Sequence, residues 1–289
     1  MTAEPYVPSI PLGEWNGGLV GDSIECVRAE NPGHMTLDGT NTWILAAPDS
    51  GTAAIVDPGP ADESHWAKVE SRLNDRGLAP DQVNAIVITH HHADHTAGID
   101  LFFEHTGAPV YAATSEYCRA GGELDMIGSA EPIELDLGGL AAQVIPAPGH
   151  TTDSIALLIP NERVMLSGDT ILGRGTTVVA YPDGNLAQYL DSLAHLRAAV
   201  VENGVEKILP GHGPAIEQPL TAIDFYLAHR QERLIQVSDC LVELGVTPDC
   251  NEDLAEQVVR TVYADVPEYL WPPATLSVLA QLEYLAANL

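Results

Sequence analysis

The sequence predicts an α/β fold in which two β-sheets pack together with helices outside them, followed by a small α-helical domain. Short apolar segments separated by turns dominate the first half, helical patterns interrupt them twice, and only helical patterns follow residue 219. A chain of 289 residues is long enough for one large core and a small appendage. We therefore predict a catalytic domain over residues 1–218 and a helical domain over 219–289.

Ten apolar segments read as strands. The run at 85–89 (Ala-Ile-Val-Ile-Thr) is continuously apolar up to Thr89, which is typical of a strand buried on both faces. The remaining predicted strands cover residues 24–29, 42–47, 52–56, 110–113, 133–135, 141–145, 155–159, 164–166 and 207–209.

Helical spacing occurs first over residues 62–76, where Trp66, Val69 and Leu73 fall on one face. A second helix is predicted over 186–202. Three more helices follow the predicted boundary, with breaks at glycine and proline. These C-terminal helices are predicted over 220–244, 251–263 and 274–289, the second of them capped by Asn251.

The composition is that of a globular enzyme, with 45% hydrophobic and 18% charged residues. Twelve Lys and Arg against 41 Asp and Glu give a formal charge of −29, which disfavours broad electrostatic capture of nucleic acids. No apolar run is long enough to span a membrane and no signal peptide is visible, so a cytoplasmic location is predicted. The four dispersed cysteines indicate free thiols.

The chemistry is concentrated in His90-His-His92-Ala-Asp94-His95, directly after the apolar strand. Residues two apart in an extended segment point the same way, so His90 and His92 can converge on one ion. Asp94 and His95, further round the loop, can turn toward a second ion. Zinc accepts imidazole nitrogen and carboxylate oxygen and usually has at least three protein ligands.

Further donors follow other predicted strands, each directly after a glycine: His150, Asp169 and His212. A single histidine is more often a surface residue or a hydrogen-bonded core residue than a ligand. Four separate segments that each deliver donors at a strand end favour a metal centre instead.

These segments resemble the five ordered motifs of the metallo-β-lactamase-fold hydrolases. The matching segments are Asp57-Pro-Gly, His90-x-His92-x-Asp94-His95, Gly149-His150-Thr, Gly168-Asp169-Thr and Gly211-His212-Gly. The resemblance covers roughly residues 20 to 215 and implies an αββα four-layer sandwich. It also implies a metal cleft at one edge of the two sheets.

The resemblance implies two metal ions per chain, expected to be Zn²⁺, with Mn²⁺ or Fe as alternatives. It assigns His90, His92 and His150 to the first ion. It assigns Asp94, His95 and His212 to the second, with Asp169 bridging the two. Asp57 would orient ligands rather than bind metal, and Asp94 is a candidate proton donor.

A narrower similarity is to the lactamase-β-like subgroup, which includes a mitochondrial endoribonuclease and carries a C-terminal winged-helix-like extension. The similar segments are 36–44, 168–177 and 189–193. The chain ends in its third C-terminal helix, so we expect the β-wing to be missing. Thr40, Asn41 and Arg174 are candidates for substrate binding, although turn roles suit Thr40 and Asn41 equally well.

Two metal ions can share a water and lower its pKa to near 7, so a metal-bridging hydroxide is the hypothesised nucleophile. Hydrolysis of a small ester, thioester, lactone or related acyl compound ranks first, and cleavage of single-stranded RNA second. Weak β-lactamase activity and a non-catalytic, partner-binding protein with structural metals are further alternatives. A small-molecule substrate and no membrane association are expected, and a homodimer is left open.

Overall fold

The computed structural model of the chain describes residues 10–124, 133–264 and 266–288. Its first sheet contains six strands in the order of the chain, with the first four antiparallel and the last three parallel. These strands are β1 (Gly18–Leu19), β2 (Ile24–Arg28), β3 (Asn41–Leu45), β4 (Ala53–Val56), β5 (Val83–Val87) and β6 (Val110–Tyr111).

The second sheet contains five strands in the order β11-β10-β9-β8-β7, and only the pair β10 and β11 is parallel. These strands are β7 (Ile133–Leu137), β8 (Leu140–Pro146), β9 (Ile155–Ile159), β10 (Val164–Gly168) and β11 (Lys207–Pro210).

Seven α-helices lie in the described residues. Side-chain caps start α1, α4 and α6, where Asp62, Asn185 and Asn251 each accept a backbone N–H of the first turn. The helices are α1 (Glu63–Asp75), α2 (Ala93–Thr96), α3 (Ile99–Thr106), α4 (Leu186–Asn203), α5 (Pro219–Leu244), α6 (Glu252–Val262) and α7 (Trp271–Ala287).

The elements form the four-layer sandwich that the sequence predicted. Trp43 and Leu45 of β3 point toward the second sheet and pack with Leu157 of β9, whereas Ile44 points away from it. The outer face of the first sheet packs on Trp66 of α1 and Phe102 of α3. The outer face of the second sheet packs on α4 and α5. The central strands β4, β9 and β10 are therefore covered on both faces, which explains their apolar runs, whereas β7 and β8 alternate more buried and more exposed residues.

Helix α5 belongs to two packing clusters. Residues of its first half, such as Ile223 and Tyr226, pack with α4 and the second sheet. Val237 and Leu241 of its second half pack with α6 and α7. No strand occurs among described residues 219–264 and 266–288. The division between residues 218 and 219 stays a prediction, and α5 connects the two regions.

Most predicted elements occur, with ends shifted by a few residues. Trp66, Val69 and Leu73 are buried on one face of α1, as the spacing predicted. Helix α3 was not predicted, because its eight residues bury only Ile99, Phe102 and Thr106 and lie between the histidine motif and Gly107. No helix among the described residues is long and apolar enough to cross a membrane.

Candidate metal centre

The seven predicted metal ligands come together at one edge of the sandwich. His90, His92, Asp94 and His95 follow β5 of the first sheet. His150 lies in the turn between β8 and β9, and Asp169 and His212 follow the parallel strands β10 and β11 of the second sheet. Strand ends from both sheets thus supply donors to one cleft.

The first group of donors is three imidazoles. The Nδ1 atom of His92 lies 3.1 Å from Nε2 of His90 and 3.2 Å from Nε2 of His150. Donor atoms of all three residues lie within 4.8 Å of one another. His90 and His150 are buried, and His92 is half-buried.

The second group is Asp94, His95 and His212. The Nε2 atom of His212 lies 3.2 Å from Nε2 of His95 and 3.1 Å from Oδ2 of Asp94. Asp169 lies between the two groups, because its Oδ2 is 3.2 Å from Nε2 of His212 and 3.8 Å from Nε2 of His150. Its Oδ1 is 3.6 Å from Nε2 of His95.

The donor set fits bound metal. Tetrahedral ligands about 2.0–2.1 Å from an ion lie roughly 3.3 Å apart, which matches the spacing of the imidazole nitrogens. Oδ1 of Asp169 is buried without a hydrogen-bond partner, which a metal ion would satisfy. A Cβ at Gly211 would collide with this same oxygen, so the glycine before His212 leaves room for the carboxylate.

The two groups differ in their electrostatics. Burial, reinforced by neighbouring histidines, lowers the pKa of His90 well below its ordinary value and that of His92 to about 4. Burial also lowers the pKa of His150. The first group therefore consists of neutral imidazoles, the form that binds metal.

In the second group, carboxylates outweigh burial. Burial opposes protonation of His212, but Asp169 and Asp94 raise its pKa to about 9. Burial likewise opposes protonation of His95, but Asp169 and Asp57 raise its pKa well above the ordinary value. Although burial alone would raise the pKa of Asp169, His212 and His95 lower it well below its usual range. The metal-free second group is thus an ion-pair cluster.

Asp57 is placed to orient ligands. It is 1% exposed and adopts a positive φ of 55°, which is uncommon outside glycine. Its Oδ1 accepts the backbone N–H of Thr89 at 2.8 Å, and its Oδ2 accepts the Thr89 hydroxyl at 2.7 Å. Oδ2 also lies 2.9 Å from Nδ1 of His95, so the other ring nitrogen of His95 faces the cluster.

Thr40 and Asn41 are not at a cleft surface, since both are 0% exposed. The Asn41 amide donates to the carbonyl oxygens of Pro210 and Gly213 at 2.9 and 2.8 Å and accepts from Trp15 Nε1. The hydroxyl of Thr40 accepts from Asn31, and Thr40 forms a backbone bridge with His212. The polar atoms of both residues are hydrogen-bonded within the protein. Both residues therefore stabilise the turn that contains His212.

Arg174 is also engaged within the chain, since its guanidinium donates to the carbonyl oxygen of Ile10. The structure therefore places it against the N-terminal segment and shows no contact between its side chain and the metal-site donors. Arg174 as a substrate contact stays a prediction that the geometry does not favour.

The contacts of Val178 and His91 near the centre were not predicted from the sequence. The Val178 carbonyl oxygen lies 2.8 Å from Nδ1 of His150 and orients that ring. His91, within the motif but outside the donor set, lies between Asp153 and Asp183, with nitrogen-to-oxygen distances of 2.7 and 3.3 Å. A backbone carbonyl carries no residue-type signal, and the carboxylate partners of His91 are distant in sequence.

Comparison with known families matches residues 35–212 to the model of the metallo-beta-lactamase superfamily. Residues 255–288 match the beta-lactamase associated winged helix domain. The helical C-terminal region predicted from the sequence is therefore related to that domain.

The chain is 32% identical over 266 residues to a beta-lactamase-like protein 2 homolog of Drosophila melanogaster, covering 88% of this chain and 85% of the relative. It is 28% identical to an atrochrysone carboxyl ACP thioesterase of Aspergillus fumigatus, covering 89% of this chain and 79% of that protein. A beta-lactamase domain protein from Burkholderia ambifaria has the same fold, with a TM-score of 0.71, 23% identity, and coverage of 98% and 91%. The chain therefore belongs to the metallo-beta-lactamase superfamily, whose members are hydrolases.

Proposed function

We propose that the chain is a dinuclear zinc hydrolase that acts on a small ester, thioester or lactone. The observation that carries the proposal is the pair of three-donor groups with the Asp169 carboxylate between them. His90, His92 and His150 would hold one ion and Asp94, His95 and His212 the other. Nitrogen and carboxylate donors without cysteine suit zinc, and the same set accepts Mn²⁺ or Fe.

When bound, two such ions lower the pKa of water toward neutrality and polarise the oxygen of the bond that is cleaved. The residues of the chain prepare this chemistry by fixing the donors. Asp57 and the Val178 carbonyl hold the outer nitrogens of His95 and His150. Asp94 has a side chain 29% exposed and reaches the solvent side of the second group. Although burial alone would raise its pKa, the hydrogen bond to His212 lowers it, so Asp94 offers the second ion a carboxylate.

A crevice lies beside the His150 turn, and we propose it as the binding site for the acyl part of the substrate, although none of the seven donors is among its described lining residues. Its volume is about 650 Å³, which suits a small-molecule ligand. The turn on either side of His150 contributes Pro148 and Thr152 to its wall. Its other lining residues are Ala113, Thr114, Glu123, Leu124, Pro146, Asp153, Ser154 and Ile155.

The charge of this crevice argues against anionic substrates. None of the lining residues within the described part of the chain is a lysine or an arginine, and two are acidic. Together with the net charge of −29, this disfavours binding of an RNA phosphate backbone. The thioesterase name of the Aspergillus fumigatus relative is consistent with an acyl substrate.

A panel of neutral thioesters, lactones, a cephalosporin and labelled single-stranded RNA tests this proposal. Within the panel, pentanoyl and glutaryl thioesters are matched in size and differ in one carboxylate. We expect the neutral thioester to be hydrolysed at least about 10-fold faster in kcat/KM, since the crevice offers no cation to offset a buried carboxylate. Cleavage of RNA alone, with strong dependence on salt, would overturn the acyl assignment.

A further inference from the structure

The segment that follows β10 positions two donors of the metal centre at once. This segment, residues 169–178, is called the Asp169 loop. It begins with Asp169 and ends with Val178, whose carbonyl oxygen orients His150. The Thr177 hydroxyl donates to the Asp169 carbonyl oxygen at 2.6 Å, which closes the loop on itself. A shift of this loop would displace Asp169 and His150 together.

Side chains from two helices fasten the Asp169 loop from outside the cleft. The Tyr189 hydroxyl of α4 donates to the Thr170 carbonyl oxygen at 2.7 Å. The Tyr226 hydroxyl of α5 accepts the backbone N–H of Leu172 at 2.8 Å. The guanidinium of Arg230, one turn further along α5, donates to the Thr177 carbonyl oxygen.

These three side chains are buried, with exposures of 0%, 0% and 6% for Tyr189, Tyr226 and Arg230. Burial raises the pKa of Tyr189 to about 12, so its hydroxyl remains a hydrogen-bond donor throughout the neutral range. Hydrogen bonds in such a buried setting are strong and costly to leave unmade. The loop is thus fixed at residues 170, 172 and 177 by contacts remote from the cleft.

Arg230 is unusual because it is a buried cation. It makes no ion pair with a carboxylate in the described part of the chain, and its Nε has no hydrogen-bond partner. Its guanidinium carbon lies 5.0 Å from the centre of the Tyr189 ring, a cation–π arrangement. Burying a charge without a carboxylate partner is unfavourable. A contribution to the fold alone is therefore a poor explanation for this residue.

We propose that Tyr189, Tyr226 and Arg230 are positioning residues of the metal centre, which hold the Asp169 loop so that Asp169 and His150 meet the bound ions. Through Arg230 and Tyr226, the helix that leads into the winged-helix-related region becomes part of the support of the active site. The inference rests on the proposed function, because it assumes that Asp169 and His150 bind metal.

The test compares Arg230→Met with Arg233→Met in the full chain. Arg233 is a matched control on the same helix, because its guanidinium carbon lies 4.9 Å from the centre of the Tyr263 ring and it makes no contact with the Asp169 loop. The readouts are zinc affinity by competition with a chelating dye, the absorption spectrum of the cobalt-substituted protein, and the melting temperature with and without zinc.

We expect Arg230→Met to weaken the binding of at least one zinc ion by about 10- to 100-fold, the usual effect of changing an outer partner of a ligand. The cobalt spectrum should change. The rise in melting temperature on adding zinc should shrink by more degrees than the melting temperature of the metal-free protein falls. Arg233→Met should leave zinc affinity and spectrum unchanged. Tyr189→Phe, which keeps the ring and deletes only the hydroxyl, should weaken zinc binding to a smaller extent.

Wild-type zinc affinity and an unchanged cobalt spectrum in Arg230→Met would overturn the inference and leave the proposed function intact. If Arg230→Met does not fold, the same two readouts on Tyr189→Phe and Tyr226→Phe decide in its place. Wild-type protein that binds fewer than two ions would contradict the proposed function itself, and the inference with it.

Discussion

The two sheets contribute to the metal centre in different ways. The first sheet supplies His90, His92, Asp94 and His95 from one segment directly after β5, which includes α2. Asp57, directly after the neighbouring strand β4, supports that segment. The second sheet supplies His150, Asp169 and His212 from three separate strand ends. These strand ends are held by residues far away in the chain, including Asn41 and the side chains of α4 and α5.

The difference shows that one compact sequence motif supplies all donors of the first sheet, whereas the donors of the second sheet come from separate segments that only the fold brings together. The donors of the first sheet are organised by hydrogen bonds between adjacent parallel strands, so a short stretch of sequence contains most of their determinants. The donors of the second sheet depend on long-range contacts, such as the 169-residue separation between Asn41 and Pro210. Substitutions in the two sets of donors should therefore have different consequences.

The largest effect is expected from removing a donor. His92→Ala should abolish hydrolysis and release the ion of the first group only. Asp169→Ala should abolish hydrolysis and weaken both ions, because Asp169 faces donors of both groups. Each loss of kcat/KM should exceed the roughly 100-fold expected for an outer partner.

Metal content and far-ultraviolet circular dichroism provide the measurement, and the exposed His195 on α4, changed to alanine, is the control. Both variants should keep folded C-terminal helices. Equal metal content in His92→Ala and Asp169→Ala would remove the proposed bridging role of Asp169.

The next largest effect is expected from Asp57→Asn. The side chain keeps its size and asparagine tolerates positive φ, but an amide replaces the oxygen that faces Thr89 and His95. Breaking a buried charge pair of this kind should lower the free energy of unfolding by roughly 3–5 kcal/mol. Asp100→Asn is the control, because its 73% exposed carboxylate pairs with Arg119 at the surface and should contribute at most about 1 kcal/mol. Urea denaturation that gives equal losses would contradict the role of Asp57.

A smaller loss of stability is expected from Asn41→Ala. Four buried groups, two carbonyl oxygens, the Trp15 indole N–H and the Cys26 thiol, would each lose a hydrogen bond. The free energy of unfolding should fall by about 2–3 kcal/mol, and the zinc ion bound by His212, Asp94 and His95 should be lost first. The exposed Asn203→Ala is a suitable control. Normal stability together with altered KM would restore Asn41 as a substrate contact.

The last effect is confined to acid pH and concerns His65. His65 is 1% exposed, its Nε2 lies 2.8 Å from the Thr42 hydroxyl, and burial lowers its pKa to about 4. In the unfolded chain this histidine takes up a proton near pH 6.5. The contribution of His65 to the free energy of unfolding is therefore fully present above that pH and is lost as the pH falls toward 4. His65 should contribute at most about 1.4 kcal/mol per pH unit in this window. His65→Gln should therefore flatten the pH dependence of urea denaturation, and an unchanged slope would contradict this assignment.

Much of the fold could be predicted from the sequence, because buried strands are continuously apolar and helix caps such as Asn251 have recognisable side chains. The seven donors were predicted because histidine and aspartate at strand ends are chemically distinctive. The structure brings these donors together at one edge of the two sheets.

The remaining features depend on three-dimensional contacts that carry no local pattern. Asn41 and Arg174 were candidates for substrate binding, with a turn role equally suitable for Asn41. The structure buries Asn41 behind His212 and places Arg174 against Ile10. A polar residue near a motif has the same appearance in sequence whether it faces a ligand or the protein interior. In the sequence, Arg230 looks like a residue of a solvated helix face, and only the packing of α5 on α4 shows that it is buried.

The central claim is that each of the two donor groups binds an ion, and zinc content measures this most directly. Full-length protein purified without added metal and analysed by plasma mass spectrometry should contain close to two zinc ions per chain. His92→Ala and His212→Ala should each retain about one ion. One ion or none in wild-type protein with an intact circular dichroism spectrum would contradict the dinuclear account.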